Sequence, residues 1–222
     1  MNIESKRPIL LNLSPIAQLR AGRLPRRLLQ LLVGLTIFGL SIAMLIQGQL
    51  GMMPWDVLHY GLATRLPLSI GMVLILTAIL VLLAWIPLRQ LPGVGTVANA
   101  LWIGLTLDLA LGFLPAMTAL PGKIAFTLGG ILLNGLATAM YIGSQLGPGP
   151  RDGLMTGLAR MTGRSIRLVR TALEVVVVAI GWLLGGVVGI GTLLFALSIG
   201  PLTQAFLPVF IVRLEDSANS AG

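Results

Sequence analysis

The residues that could do chemistry in this chain are few, and two of them are aspartates in a motif that occurs twice. The motif reads Gln-Leu-Gly-x-x-Pro-x-Asp-x-Leu-x-x-Gly-Leu-Ala; it begins at Gln49 and begins again 96 residues later. Pro54 and Pro150 suit the first turn of a helix, where an N–H is unpaired anyway. Asp56 and Asp152 then lie beside the positive end of the helix. Each aspartate is either a structural cap or, if both helix starts face one pathway, part of a solute site.

Four more polar residues fall inside apolar stretches, where burial in lipid is costly: Asp108, Glu174, Asn99 and Asn134. A desolvated carboxylate can exchange a proton near neutral pH, so Asp108 and Glu174 are candidates for coupled proton or cation movement. The structural alternatives are a shallow, hydrated position for Asp108 and a local ion pair between Glu174 and Arg170. The two asparagines are typical of amides that hydrogen-bond between packed helices.

Catalysis and metal binding have little support. The chain has no cysteine, and its one histidine, His59, has no second histidine or carboxylate-rich pattern at metal-ligand spacing. No serine or threonine is paired with a base by a recognisable motif, and no phosphate-binding loop occurs. We therefore expect no enzyme activity, no catalytic residue, no metal site and no cofactor, and we place His59 at the membrane interface.

The composition predicts that these residues are held by membrane helices. Hydrophobic residues make up 56% of the chain and charged residues 10%, whereas soluble domains carry about a quarter charged residues. Apolar runs long enough to cross a bilayer recur along the chain. We predict spans at residues 28–50, 70–88, 94–114, 124–146, 166–184 and 190–212. Because backbone groups in lipid must bond internally and no barrel-like alternation is present, we predict an all-α integral membrane protein of about six transmembrane helices.

The positive charges predict the orientation. If the N-terminus is cytoplasmic, all 15 Lys and Arg residues except Arg65 and Lys123 fall on the cytoplasmic side, as the positive-inside rule requires. Both termini are then cytoplasmic. We also interpret Trp55 as an aromatic anchor at the outer surface and Arg151, its counterpart in the second motif, as a cytoplasmic positive charge. The net charge of +8 is explained this way, and no nucleic-acid partner is expected, since the basic segment lacks interleaved aromatic residues.

The spacing of 96 residues extends beyond the motif, to Gly-x-Gly-Thr at residues 93–96 and 189–192, and indicates an internal duplication. Each copy holds three spans, an odd number, so the two copies enter the membrane from opposite sides as inverted repeats. We divide the chain into a basic cytoplasmic N-terminal arm (1–27), two three-helix repeats (28–115 and 124–212) and a cytoplasmic tail (213–222). Each repeat also carries one short helix, interfacial or re-entrant, that cannot span.

The doubled motif and the two Gly-x-Gly-Thr sequences resemble the YczE/YyaS/YitT family of bacterial membrane proteins, over about residues 30–212. The resemblance implies a location in the bacterial inner membrane and a multi-span fold, and it brings no biochemical activity with it. Two functions stay open. The chain is a transporter or permease for a small solute, as inverted repeats suggest, or a non-transporting membrane partner that stabilises or assembles another complex. The solute and the oligomeric state are left open.

Overall fold

The structure is a computed structural model that describes residue 10 and residues 13–214. Over those residues the chain forms nine α-helices and no strand, which confirms the all-helical prediction. The helices are α1 (Pro15–Arg20), α2 (Leu24–Gly48), α3 (Pro54–Ala63), α4 (Ile70–Ala84), α5 (Val94–Phe113), α6 (Leu120–Gly143), α7 (Pro150–Thr162), α8 (Ile166–Leu183) and α9 (Ile190–Phe210). Most of the predicted tail and the start of the predicted arm, including Lys6 and Arg7, lie outside the described residues.

Six helices coincide with the predicted spans: α2, α4, α5, α6, α8 and α9. Four of these, α2, α5, α6 and α9, are long and apolar enough to cross a membrane. Helix α4 has 15 residues, about 22 Å of helix against a hydrocarbon core of about 30 Å. Helix α8 has 18 residues and carries Arg167, Arg170 and Glu174. The chain is therefore a helical membrane protein with four candidate spans, and the count of six stays a prediction.

Helix starts recur at the spacing of the sequence duplication. Helices α2, α3, α4 and α5 each begin 96 residues before α6, α7, α8 and α9. The backbone repeats as well, since Gln49 and Gln145 have φ of 56° and 55°, and Gly51 and Gly147 have φ of 123° and 118°. We call residues 24–113 the first copy and residues 120–210 the second copy, and two residues 96 apart are called equivalent.

Helices α2 and α6, which open the two copies, pack against each other in antiparallel directions. Gly34 near the start of α2 lies against Ala137 and Met140 near the end of α6. Gly48 at the end of α2 lies against Thr127 and the Lys123 carbonyl near the start of α6. Small residues let the two helices approach closely, and Asn134 Nδ2 donates to Ser41 Oγ at 2.8 Å in the middle of the contact.

The two copies also exchange backbone hydrogen bonds. The N–H of Gly95, at the start of α5, donates to the Leu146 carbonyl at 2.7 Å, and the N–H of the equivalent Gly191 donates to the Leu50 carbonyl at 2.7 Å. A Cβ at either glycine would lie 2.8–3.0 Å from these carbonyl oxygens. The Gly-x-Gly-Thr sequence of each copy thus binds the Gln-Leu-Gly turn of the other, and we call this pair of contacts the reciprocal clasp.

Each short helix packs on the other copy as a consequence. Helix α3 lies against the end of α8, where Gly181 meets the backbone of Val57 and Leu58. Helix α7 lies against the end of α4, where Trp85 is equivalent to Gly181 and its indole N–H donates to the Pro150 carbonyl at 3.0 Å. The clasp therefore holds the turns from which α3 and α7 start beside the opposite copy.

Replacing Thr96 with Val tests how much the clasp stabilises the fold. The buried Thr96 hydroxyl donates to the Pro148 carbonyl at 2.7 Å and accepts the Gly93 N–H at 3.1 Å. We expect Thr96→Val to lower the free energy of unfolding by about 1–3 kcal/mol, because the buried Gly93 N–H and the Pro148 carbonyl lose their partner. Unfolding of the purified protein in detergent measures this, with Thr96→Ser as the control that keeps the hydroxyl. Wild-type stability of Thr96→Val would contradict the role of the clasp.

Candidate functional site

A cavity of about 330 Å³ lies at the N-terminal ends of α3 and α7 and is lined by both copies. Its polar lining residues are Asn99, Asn134, Thr138, Tyr141, Arg151, Asp152, Arg170, Glu174, Thr203 and Gln204. All of these except Asn99 belong to the second copy. The first copy contributes mainly apolar residues, including Phe38, Met53, Leu74 and Ile103. The duplication has thus produced one polar and one apolar wall.

Positions where the copies differ most define the polar wall. Arg170 and Glu174 on α8 are equivalent to Leu74 and Ala78 on α4, and all four residues line the cavity. Arg170 Nε donates to Glu174 Oε1 at 2.8 Å, with 48% of the arginine side chain exposed, whereas Leu74 is 3% exposed. The local ion pair expected for Glu174 is therefore present, and at this pair of equivalent positions the second copy is the more exposed.

The starts of α3 and α7 meet at the cavity. The Arg151 guanidinium lies over the Trp55 ring, 5.1 Å from its centroid, and Arg151 Nη2 is 3.9 Å from Asp56 Oδ1. Residues in direct contact cannot occupy opposite surfaces of a hydrocarbon core about 30 Å thick. The interpretation of Trp55 as an outer anchor and Arg151 as a cytoplasmic surface charge is therefore wrong. The prediction placed the two residues on opposite sides of the membrane because they occupy equivalent positions in the two copies. In the structure the starts of α3 and α7 meet and bring the two side chains together.

The two motif aspartates have different surroundings. Asp56 is buried, and its Oδ1 is 3.0 Å from His59 Nδ1. Asp152 is exposed, and its Oδ2 accepts the Tyr141 hydroxyl at 2.5 Å. A carboxylate only accepts, so the His59 Nδ1–H is the donor of this hydrogen bond. His59 is 1% exposed, so its ring lies inside the protein.

Most of the predicted site residues do meet at the cavity. Pro54, Pro150, Asp152, Asn99, Asn134 and Glu174 line it, and Asp56 contacts the lining residue Arg151. Asp108 does not line it. Its carboxylate accepts the Ser69 hydroxyl at 2.5 Å and the Gly71 N–H at 2.8 Å, so that it caps the start of α4.

Sequence reasoning missed Tyr141, Arg151, Thr138 and Thr203 as lining residues. The signal was present in the duplication, because Tyr141 is equivalent to Leu45, Thr138 to Ile42 and Thr203 to Leu107. A position that is apolar in one copy and polar in the other points to a polar role in that copy. Between residues 13 and 214, no group of three or more histidine, aspartate or glutamate side chains is placed to hold a metal ion.

Comparison with known proteins places the chain in a family. Residues 25–208 match the model of a family of unknown function, DUF6198. The chain belongs to the DUF6198 family. The match includes all the residues that line the cavity. No solved structure matches the chain.

Three known proteins are similar to this DUF6198 chain. An uncharacterized protein of Haemophilus influenzae is 44% identical over 184 residues, which cover 83% of this chain and 84% of the relative. The uncharacterized membrane protein YczE of Bacillus subtilis is 33% identical over 82% of this chain and 86% of its own length. The uncharacterized protein YyaS of Bacillus subtilis is 29% identical over 80% of this chain and 90% of its own length. The expected resemblance to YczE and YyaS is confirmed.

The contrast between the two aspartates of this DUF6198 chain yields a stability prediction. We expect Asp56→Asn to cost about 1–3 kcal/mol, because a buried carboxylate that bonds His59 and faces Arg151 loses its charge. Asp152→Asn removes an exposed charge near a helix start and should cost less than about 1 kcal/mol. Chemical unfolding of both purified variants measures the difference. Equal costs would show that the two aspartates are equivalent caps.

Proposed function

We propose that the protein is a permease that binds a small polar solute in the cavity between the two copies. The observation that carries this proposal is the meeting of two half-helix starts, from opposite copies, at one cavity with polar lining. Half-helices whose N-termini point at a central site are a feature of secondary transporters. We propose binding and passage rather than catalysis, since His59, the one histidine, pairs with Asp56 and is not a lining residue.

The proposal includes six spans, arranged as two inverted repeats in the bacterial inner membrane with both termini cytoplasmic. The antiparallel packing of α2 and α6 supports inversion, because the two helices open equivalent copies. The contact between Trp55 and Arg151 supports re-entrant rather than interfacial short helices. Re-entry also accounts for a short α4 and a charged α8, since helices beside a polar cavity need not be continuous apolar spans.

The same arrangement implies which way the cavity faces. Asp152 and Arg170 are exposed lining residues of the polar wall, and both lie on the cytoplasmic side in the proposed orientation. The equivalent residues Asp56 and Leu74 are buried. We therefore propose that the structure is open toward the cytoplasm, and that the near-equivalence of the copies permits the opposite state. Proton or cation coupling is retained for Glu174, which lines the cavity; the cap contacts of Asp108 account for that residue structurally.

Cysteine labelling tests the topology, since the chain has no cysteine of its own. Arg65 and Arg160 are both exposed. In spheroplasts treated with a membrane-impermeant maleimide, we expect Arg65→Cys to react and Arg160→Cys to react only after permeabilisation. Labelling of both variants from the same side would contradict the inverted arrangement.

A second labelling experiment tests the cavity itself. Thr203 lines the cavity, whereas Leu197 on the same helix is 66% exposed and faces lipid in the proposed arrangement. Alkylation requires a thiolate and therefore water. In inside-out vesicles we expect a water-soluble maleimide to modify Thr203→Cys at least about tenfold faster than Leu197→Cys. Faster modification of Leu197→Cys would contradict a hydrated cavity, and would favour a non-transporting membrane partner.

A further inference from the structure

We infer that the solute is a zwitterion, a small molecule with an anionic group and a cationic group joined by an apolar chain, because unpaired donors and incompletely paired carboxylates line the same cavity. The inference rests on the proposed solute site and specifies its chemistry. The donors are Arg151 and Trp55, and the carboxylates are Asp152 and Glu174.

The donors define the end that receives the anionic group. Arg151 donates no hydrogen bond to any residue that the structure describes, and its nearest carboxylate oxygen, on Asp56, is 3.9 Å away, beyond hydrogen-bond range. The indole Nε1–H of Trp55 is buried without a partner, in a residue that is 7% exposed and lines the cavity. Buried donors are normally paired, so the indole N–H lacks an acceptor, and the Arg151 guanidinium beside it, 25% exposed, has donors free for a ligand. A carboxylate, with two oxygens that accept from several donors, supplies one.

The carboxylates define the end that receives the cationic group. Asp152 accepts the Tyr141 hydroxyl through Oδ2, and Glu174 accepts Arg170 through Oε1. Each carboxylate has a second oxygen for which the described part of the chain provides no hydrogen-bond donor. An ammonium group carries three donors and no acceptor, and it is therefore the complementary group for these oxygens.

Charge balance and the pairing of donors together favour a zwitterion over an ion of either sign. The lining arginines, Arg151 and Arg170, balance Asp152 and Glu174, and Asp56 adds a negative charge behind Arg151. A simple anion would increase this excess of negative charge and be repelled by it. A simple cation would leave the donors of Arg151 and Trp55 unpaired. A zwitterion adds no net charge and satisfies both ends, while the apolar wall contacts its carbon chain.

Matched probes of one size test the inference. Binding to the purified protein in lipid nanodiscs is measured by calorimetry for γ-aminobutyrate, butyrate, butylamine and butyramide, with glycine and β-alanine to vary the charge separation. We expect the best zwitterion to bind at least about tenfold more tightly than butyrate or butylamine, since each of these lacks one charged contact.

Three variants identify the ends by a change in selectivity that loss of structure alone would not produce. Arg151→Gln should abolish the advantage of the zwitterion over butylamine, and Asp152→Asn should abolish its advantage over butyrate. Trp55→Phe, which keeps the ring and removes the Nε1 donor, should weaken the zwitterion and butyrate but not butylamine. Arg160→Gln, an exposed change on the same helix, is the control and should leave all affinities unchanged.

The outcomes separate this inference from the proposed function. Tighter binding of butyrate, butylamine or butyramide than of any zwitterion overturns the zwitterion class but keeps a solute site in the cavity. Zwitterion affinity that is unchanged in Arg151→Gln and Asp152→Asn overturns the assigned ends. If folded wild-type protein binds none of the probes, charged or neutral, the zwitterion inference is overturned, whereas the proposed permease is contradicted by faster modification of Leu197→Cys than of Thr203→Cys.

Discussion

The reciprocal clasp is the constraint on which the rest of the structure depends. The N–H groups of Gly95 and Gly191 donate to carbonyls of the opposite copy, and in a membrane protein such buried groups have no water to replace that partner. Only glycine allows the approach, since a Cβ would meet the carbonyl oxygens. Because each clasp holds the turn just before a short helix, α3 and α7 are anchored on the opposite copy, and their starts converge on one cavity.

The two copies have nearly the same backbone but different side chains at the cavity. The two copies keep the same helix starts and the same positive φ angles in their turns, so the scaffold is almost symmetric. The cavity is not symmetric, because Leu74 and Ala78 in one copy correspond to Arg170 and Glu174 in the other. The clasp is thus kept in both copies, whereas the polar lining belongs mainly to one.

Local sequence signals predicted the helices well. The apolar runs placed the starts of α4 and α8 correctly, at residues 70 and 166, where Ser69 and Ser165 accept N–H groups. Pro54 and Pro150 begin the short helices as expected. What the sequence could not supply was depth in the membrane. The sequence of a helix start is the same whether the helix lies at the membrane surface or re-enters the membrane. The contact between Trp55 and Arg151 was therefore not predicted. That contact is long-range and depends on the clasp.

Cross-linking of residues 55 and 151 tests the central claim that the two half-helix starts meet between the copies. A Trp55→Cys, Arg151→Cys double variant, with an engineered protease site between α5 and α6, is treated in membranes with a short bifunctional thiol reagent and then cleaved. We expect the two fragments to stay covalently joined, because the side chains at these positions are in contact. Each single-cysteine variant should yield separate fragments. Separate fragments from a folded double variant would place the two helices on opposite membrane surfaces and contradict the account.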